Sequence, residues 1–259
     1  MKKPLYHVLL AVFVVFLLCF SCACFPIRGN GIMLTSEKLV SSFQSISVSG
    51  SAIINYHESR DYRAVVTVDS NLDEYVRVFT KDGVLNVSTK NGRWYRFTQY
   101  VVDVYSPSLS GLSVSGSTQF NGRDDITSPS FRLSVSGSGK INGNFECDTF
   151  STRISGSADV LSNIVCNKFD LTVTGSGNIS VTGSCNDMDI NISGSGTLTA
   201  NEFEVKNANI RVSGSARIHI WVLDNLKANM SGSGRVRYRG NPKVDYGGSG
   251  SARLESDGY

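Results

Sequence analysis

Histidine is scarce in this chain of 259 residues, which contains only three. His7 lies in an apolar N-terminal stretch, and His57 and His219 are far apart in the sequence. Two isolated imidazoles are too few for a catalytic relay. The sequence also lacks the Gly-x-Ser-x-Gly elbow of hydrolases, the His-Glu-x-x-His pair of zinc proteases and the two cysteine pairs of a zinc ribbon. We therefore expect no cofactor and no metal ion.

Net charge is also small. The formal charge is +3 at pH 7, and removal of Lys2 and Lys3 with an N-terminal signal would lower it to +1. Proteins that bind nucleic acid through its phosphates carry a clear excess of Lys and Arg. The composition therefore gives no electrostatic reason to expect a nucleic-acid partner.

Long apolar runs are absent apart from one at the N-terminus, from Val8 to Phe20. It follows a short charged segment that contains Lys2 and Lys3, which is the layout of a secretory signal. The run is too short for a membrane-spanning helix. Cys22 and Cys24 follow Ser21 and Ala23 directly after it, so we predict a signal over residues 1–24 with lipoprotein-type cleavage and lipid on Cys22 or Cys24. The alternative is a secreted protein that is cleaved without lipidation.

Residues 25–42 are rich in Gly, Asn, Ser and Thr and show little periodicity. They are predicted to form a flexible tether between the lipid and the folded domain.

The chain is rich in one repeated phrase, Ser-Gly-Ser or Thr-Gly-Ser. Copies follow one another at intervals of 18 to 21 residues, and a period near 19 over many copies is typical of a solenoid. The first glycines of the copies are Gly116, Gly137, Gly156, Gly175, Gly194, Gly214, Gly232 and Gly250.

Apolar residues recur at fixed positions within each repeat. One of them always lies four residues after the first glycine, as Ile141 and Ile179 do, and further along the repeat every second residue is apolar, as in Phe169, Leu171 and Val173. Alternation with a period of two indicates strands. The sequence therefore predicts an all-β fold, a parallel β-helix with Ser-Gly-Ser at a corner where glycine adopts a backbone conformation closed to other residues. We favour a right-handed coil, because parallel crossovers are overwhelmingly right-handed.

The folded domain is predicted to span residues 43–255. Its first part, 43–112, has strand patterns without the regular period, and Lys81-Asp-Gly83 between two alternating runs indicates a hairpin. We expect this part to cap one end of the core, and residues 113–255 to form the regular coils.

Three segments together carry a family resemblance. They are Phe43-Gln-Ser-Ile-Ser-Val-Ser-Gly-Ser51, Val66-Thr-Val-Asp-Ser-Asn-Leu72 and Val104-Tyr-Ser-Pro-Ser-Leu-Ser-Gly-Leu-Ser-Val-Ser-Gly-Ser117, followed by the serial corners. In this combination the chain resembles the auto-transporter adhesin head GIN domain family. The resemblance implies an exported β-helical protein of the Bacteroidetes type, often a lipoprotein of the outer membrane, with no established activity. We expect a non-catalytic envelope protein whose surface serves adhesion or ligand binding, with a glycan or a surface protein as partner. The alternatives are a β-helix enzyme that acts on polysaccharides and a purely structural envelope protein.

Two surface clusters are candidates for binding. The first concentrates aromatic rings and arginines, which are enriched at binding hot spots, and consists of Arg93, Trp94, Tyr95, Arg96, Phe97 and Tyr100. Its rings could instead only cover the end of the β-helix. The second consists of Arg235, Arg237 and Arg239, which alternate along one strand and could equally be a solvated face.

Cysteines and acids give weaker signals. Cys147, Cys166 and Cys185 are 19 residues apart, so we expect them to stack on one inner wall as small apolar side chains, beside Ile126 and Val205 in flanking coils. A metal or redox site is the alternative, and whether any two of them form a disulfide is open.

The acidic residues do not line up between coils. Asp124 and Asp125 share one coil, and their distances from the corner glycine differ from those of Asp148 and Asp159. No stacked acidic wall of a polysaccharide-degrading enzyme is therefore predicted.

Overall fold

The structure is a computed structural model that describes residues 26–258, and it consists almost entirely of β-strands. No helix within this range is long and apolar enough to cross a bilayer. The predicted signal, with Cys22 and Cys24, lies outside the described residues. The strands are β1 (Ile27–Arg28), β2 (Met33–Lys38), β3 (Ser45–Gly50), β4 (Ile53–Glu58), β5 (Arg63–Asp69), β6 (Val76–Lys81), β7 (Val84–Thr89), β8 (Tyr95–Arg96), β9 (Tyr100–Ser106), β10 (Gly111–Gly116), β11 (Gln119–Gly122), β12 (Ile126–Val135), β13 (Lys140–Ile154), β14 (Asp159–Val173), β15 (Asn178–Ile192), β16 (Thr197–Gly214), β17 (Arg217–Gly232), β18 (Arg235–Arg239), β19 (Lys243–Gly248) and β20 (Arg253–Ser256).

Strands from β10 onward wind into a parallel β-helix, in which each coil pairs with the coils before and after it. Strands β13, β14 and β15 pair residue for residue with an offset of 19, for example Ile141 with Val160 and Val160 with Ile179. Between β15 and β17 the register shifts, where extra residues bulge out of a coil. The prediction of a β-helix with coils of about 19 residues is therefore confirmed.

The core runs along the axis as columns of apolar side chains, one from each coil. The column four residues after each corner glycine is buried throughout the regular coils, and it consists of Phe120, Ile141, Val160, Ile179, Leu198, Ile218 and Val236. Phenylalanines stack in another part of the interior, with ring centroids 5.5 Å apart for Phe131 and Phe150 and 5.3 Å apart for Phe150 and Phe169. Removal of one coil would therefore expose apolar side chains of both neighbouring coils to water.

The N-terminal part closes one end of the core. Strands β3 and β4 form a coil on which β10 and β11 stack in parallel on one side and β7 and β9 on the other. Pairing then becomes antiparallel, from β9 to β5, from β5 to β2 and from β7 to β6. The β6–β7 turn contains Asp82 and Gly83 at φ angles of 52° and 74°, which is typical of a tight hairpin turn.

The expectation of a flexible tether over residues 25–42 is wrong for much of that range. Strand β1 lies within it, and β2 pairs along its whole length with β5, Met33 opposite Asp69 and Lys38 opposite Ala64. Because β2 is at the edge of the sheet, most of its side chains are exposed or half-buried. An edge strand of this kind needs no apolar alternation, so the sequence carried no strand signal there.

Two constraints require glycine at the corners, and close approach of the neighbouring backbone applies at every corner from Gly116 to Gly250. Gly50, Gly116, Gly214, Gly232 and Gly250 have positive φ, as the sequence predicts for a glycine-only conformation. The four central corner glycines, from Gly137 to Gly194, do not. At each of them a Cβ atom would overlap the carbonyl oxygen of the corner glycine one coil earlier. Close stacking of backbone on backbone therefore excludes a side chain there.

Replacement of a core residue by aspartate tests the inward assignment. Val160→Asp places a charge in the interior, where Val160 is 4 % exposed, and should lower the free energy of unfolding by about 4 kcal/mol or more, or prevent folding. The adjacent Leu161 is 62 % exposed, so Leu161→Asp should change stability by less than about 0.5 kcal/mol. Urea denaturation followed by circular dichroism measures both, and equal loss in the two variants would contradict the assignment.

Two glycines of one corner provide a second matched pair. In Gly194→Ala the new methyl group meets the Gly175 carbonyl, and we expect a loss of about 1–3 kcal/mol. At Gly196 a Cβ atom would lie 3.3 Å from Val173 Cγ1, and other corners already carry Ala158 or Ala216 at this position. Gly196→Ala should therefore change stability by less than about 1 kcal/mol. Thermal unfolding measures both variants. A lower melting temperature for Gly196→Ala than for Gly194→Ala would refute the backbone-stacking explanation.

Candidate functional site

The loop of the first cluster, from Arg93 to Phe97, lies beside the first strand of the fold. It contains β8, which pairs in parallel with β1. The Ile27 N–H donates to the Trp94 carbonyl at 2.8 Å, and the Gly29 N–H donates to the Arg96 carbonyl at 2.9 Å. The loop is therefore joined by backbone hydrogen bonds to the start of the described chain, at the capped end of the β-helix.

A single buried carboxylate holds this arrangement to the sheet. Asp69, the last residue of β5, accepts hydrogen bonds from the Gly31 N–H at 2.9 Å and from the Thr98 N–H at 2.8 Å. Burial alone would raise the pKa of Asp69, but these backbone donors outweigh it and hold the pKa below its usual value. Gly29 packs directly on the carboxylate and leaves no room for a Cβ atom. The Asp69 carboxylate thus holds both the segment around Gly31 and the end of the Arg93–Phe97 loop in place.

The rings of the first cluster divide into a packed set and an exposed one. Tyr75, Tyr95, Phe97 and Tyr100 form a row with successive centroid distances of 5.2, 6.0 and 4.7 Å. Tyr95 and Phe97 are half-buried against the core, and Trp94 is 74 % exposed. The row covers the end of the core, as the alternative interpretation held, and leaves Trp94 as the free ring of the loop.

Tyr100 is not a surface residue, and its inclusion among the predicted binding residues is wrong. It begins β9, lies opposite Val68 and is 4 % exposed. Its burial raises the pKa of the phenol, whose hydroxyl donates to the Ser88 carbonyl at 3.4 Å. Of the six predicted residues, Arg93, Trp94 and Arg96 remain exposed and available to a partner.

The second cluster lies in the last coils, at the opposite end of the β-helix. Arg235, Arg237 and Arg239 point outward from β18, and Arg235 is in register with Arg217 before it and Arg253 after it. Glu255 is 3.8 Å from Arg235 and 3.3 Å from Arg237. The Arg239 guanidinium lies 3.9 Å from the centroid of the Trp221 ring. We call Arg217, Arg235, Arg237, Arg239, Arg253 and Trp221 the arginine platform.

Sequence reasoning found only the β18 part of this platform. Arg217, Arg235 and Arg253 lie three residues after their corner glycines, so an offset comparison would have revealed the column. Trp221 is in register with Arg239, and both lie seven residues after their corner glycines, so the same comparison would have found this pair as well.

The three cysteines stack in one column as predicted and are free thiols, but only Cys185 is buried, while Cys147 and Cys166 are half-buried. Val205 continues the column as expected, but Ser128 precedes it, since Ile126 pairs with Phe145 instead. Burial raises the pKa of Cys147 to about 12, and a thiol hydrogen bond with Cys166 together with burial raises that of Cys185. Within residues 26–258 no group of three or more His, Cys, Asp and Glu side chains is arranged to hold a metal ion.

One acidic pair on an outer face was missed by the sequence analysis. Asp170 and Asp189 are adjacent rungs of one column, both 14 residues after a corner glycine, so their offsets could have revealed them. Lys168 lies between them, 3.1 Å from Asp170 and 3.5 Å from Asp189, and these carboxylates raise the pKa of Lys168. The Asn209 amide also donates to Asp189 at 2.8 Å. The pair is thus part of a surface ion network.

Comparison with known proteins decides the family. The family described as "Putative auto-transporter adhesin, head GIN domain" matches residues 42–163 and 142–242. The chain belongs to this family. Membership indicates an exported surface or envelope protein and supports a role in adhesion or ligand binding at a general level.

Solved structures of similar sequence share the GIN-domain fold. A protein of Parabacteroides distasonis described as a putative lipid binding protein is 26 % identical, with a TM-score of 0.83 over 90 % of this chain and 99 % of that chain. A putative adhesin of Parabacteroides merdae is 28 % identical, with a TM-score of 0.82 over 89 % and 98 % of the two chains. No curated protein matches the chain. Neither the family nor these two relatives are described as enzymes.

The thiol column allows a chemical prediction. In a fragment that begins at residue 26, Cys147 should react slowly with a maleimide at pH 8, because a thiol with a pKa of about 12 is almost fully protonated there. Since the folded pKa is above the ordinary value, the labelling rate should rise about tenfold per pH unit above pH 8. Peptide mass spectrometry locates the label, with the urea-unfolded fragment as the fully labelled control. Rapid native labelling of Cys147 or Cys185 would instead favour a redox role.

Proposed function

We propose that this protein is a non-catalytic β-helix of the outer membrane, anchored by lipid on Cys22 or Cys24, that displays its far end for binding. Support comes from the position of residues 27–29, at the start of the described part of the chain, which are hydrogen-bonded to the capped end of the solenoid. A lipid on either cysteine would hold that end near the membrane, and the arginine platform would then be the part of the coils that faces away from it.

The arginine platform is the observation that carries the proposed binding role. Arginines on neighbouring coils are about 4.8 Å apart along the axis, where two like charges in water repel by roughly 1 kcal/mol. The ion pairs of Glu255 involve Arg235 and Arg237, and Glu204 is in register with Trp221 one coil earlier, so the five arginines of the platform exceed these two carboxylates. A bound polyanion would relieve this repulsion.

An acidic polysaccharide is the ligand class that fits the platform. Its carboxylates or sulfates recur along an extended chain, as the guanidinium groups of Arg217, Arg235 and Arg253 recur along the column. Arginine binds such groups through two parallel hydrogen bonds. The polar faces of the coils would add contact area, while the arginines supply most of the affinity.

Removal of the column tests the binding role. Arg217→Ser/Arg235→Ser/Arg253→Ser should lower the affinity for polygalacturonate or dextran sulfate at least tenfold, measured by titration calorimetry on the fragment from residue 26. The matched control is Arg132→Ser/Arg153→Ser/Arg211→Ser, which removes the same charge from exposed arginines elsewhere on the coils and should bind nearly normally. Equal losses in the two triple variants would contradict the proposed site, and release of reducing ends from either polymer would favour a polysaccharide-acting enzyme instead.

Anchoring is tested on the protein as it is made in the cell. Mass spectrometry of protein extracted from the outer-membrane fraction should find an acylated N-terminal cysteine at position 22 or 24. A Cys22→Ser/Cys24→Ser variant should carry no acyl group, because neither position then offers a thiol for lipidation. An unmodified N-terminus in the soluble periplasmic fraction would overturn the proposal.

A further inference from the structure

The exposed part of the first cluster lies within a few residues of the predicted lipid. Two residues separate Cys24 from Ile27 and four separate Cys22 from it. These are three and five Cα-to-Cα steps, so even a fully extended chain spans at most about 11 Å or about 18 Å. Ile27 in turn donates its N–H to the Trp94 carbonyl at 2.8 Å. Covalent geometry therefore keeps the loop from Arg93 to Arg96 close to any membrane that holds the lipid.

The chemistry of this surface suits a lipid headgroup layer. Trp94 is 74 % exposed, and Ile32, between β1 and β2, is 65 % exposed. Three exposed arginines accompany them, Arg28 on β1 and Arg93 and Arg96 on the loop. Tryptophan favours the boundary between headgroups and acyl chains, and arginine binds phosphate through its planar fork of donors. We call these five residues the basal surface.

Nearby acids do little to neutralise the basal arginines. Asp69 is buried and its carboxylate accepts backbone N–H groups. Asp73 pairs with Lys38 at 2.8 Å. Glu74 is exposed, and within residues 26–258 no carboxylate forms an ion pair with Arg28, Arg93 or Arg96. The basal surface therefore keeps positive charge toward solvent.

We propose that the basal surface binds anionic phospholipid headgroups of the membrane in which the protein is anchored, with Trp94 inserted at the interface. This inference rests on the proposed lipid anchor. The anchor makes the contact effectively intramolecular, so a surface that would bind vesicles weakly on its own can hold the β-helix in one orientation. An adhesion ligand then does not reach the Arg93–Arg96 loop, and the exposed arginines and Trp94 of the first cluster serve the membrane.

The two tryptophans of the chain provide the test, because they lie at opposite ends. Six coil spacings of about 4.8 Å separate the corner glycine Gly50 from Gly214, the corner that precedes Trp221, so Trp221 is about 29 Å along the axis from the coil of Gly50. Trp94 lies on the opposite, capped side of the Gly50 coil. Lipidated full-length protein is placed in vesicles of phosphatidylethanolamine and phosphatidylglycerol that contain brominated lipid. In Trp221→Phe the remaining Trp94 emission should shift to the blue and be quenched about twofold or more. In Trp94→Phe the remaining Trp221 emission should be unchanged.

A charge-matched pair tests the arginines in the same vesicles. Arg28→Ser/Arg93→Ser/Arg96→Ser in the Trp221→Phe background should lose most of the quenching, as should replacement of phosphatidylglycerol by phosphatidylcholine. The control Arg132→Ser/Arg153→Ser/Arg211→Ser should keep it. The inference would be overturned if brominated lipid did not quench Trp94 fluorescence, or if the quenching did not depend on the charge of the lipid.

Vesicle flotation separates this inference from the proposed anchor. Protein that floats with vesicles while Trp94 remains unquenched is anchored but does not use the basal surface, which contradicts the further inference alone. Protein that carries no lipid and does not float contradicts the anchor, and with it the inference built on it.

Discussion

Contact of backbone on backbone at the corners is the constraint on which the rest of the structure depends. Each corner glycine lies so close to the one before it that a side chain is excluded, and the next residue continues the hydrogen-bond ladder through the bend, as Ser157 N–H does to the Gly137 carbonyl at 3.0 Å. Because successive coils are held at strand spacing there, residues at one offset lie above one another. Apolar columns, cysteine columns and arginine columns all follow from that alignment. Loss of one corner would disturb every column that passes it, since each coil is stabilised by its neighbours.

Polar ladders on the outer faces explain why binding is assigned to the ends. Side-chain amides reach from one coil to the previous one, so Asn186 donates to Asn167 at 2.9 Å and Asn167 donates to Asp148 at 2.9 Å. The same direction holds where Asn225 donates to Asn207 and Asn207 to Asp187. A carboxylate only accepts, so it suits the first position, whereas an amide accepts and donates and can continue the ladder. Side chains paired in this way offer little to a ligand, while the end coils carry the unmatched arginines and Trp94.

Much of the fold could be predicted from the sequence because one period repeats over many coils. Residues such as Ile141 and Ile179 occupy the same offset, and stacking turns equal offset into equal position. Predictions failed where equal offset does not mean equal position. Strand β2 was missed since it is a half-exposed edge, and Ile126 was misplaced because its coil is 21 residues long and the extra residues move Ser128 beside Cys147. Tyr100 looked like a surface ring because it belongs to the cap, where no period indicates which way a side chain points.

The spacing between the protein and its membrane tests the central claim most directly, namely that the β-helix rests on the bilayer by its capped end. Neutron reflectometry on lipidated protein in a supported bilayer resolves a hydrated layer between headgroups and protein. A free tether over residues 25–42 would permit a gap of up to about 60 Å, whereas a fold that begins at β1 limits it to less than about 20 Å. The account predicts protein density that begins directly at the headgroups. A hydrated gap wider than about 20 Å would contradict it.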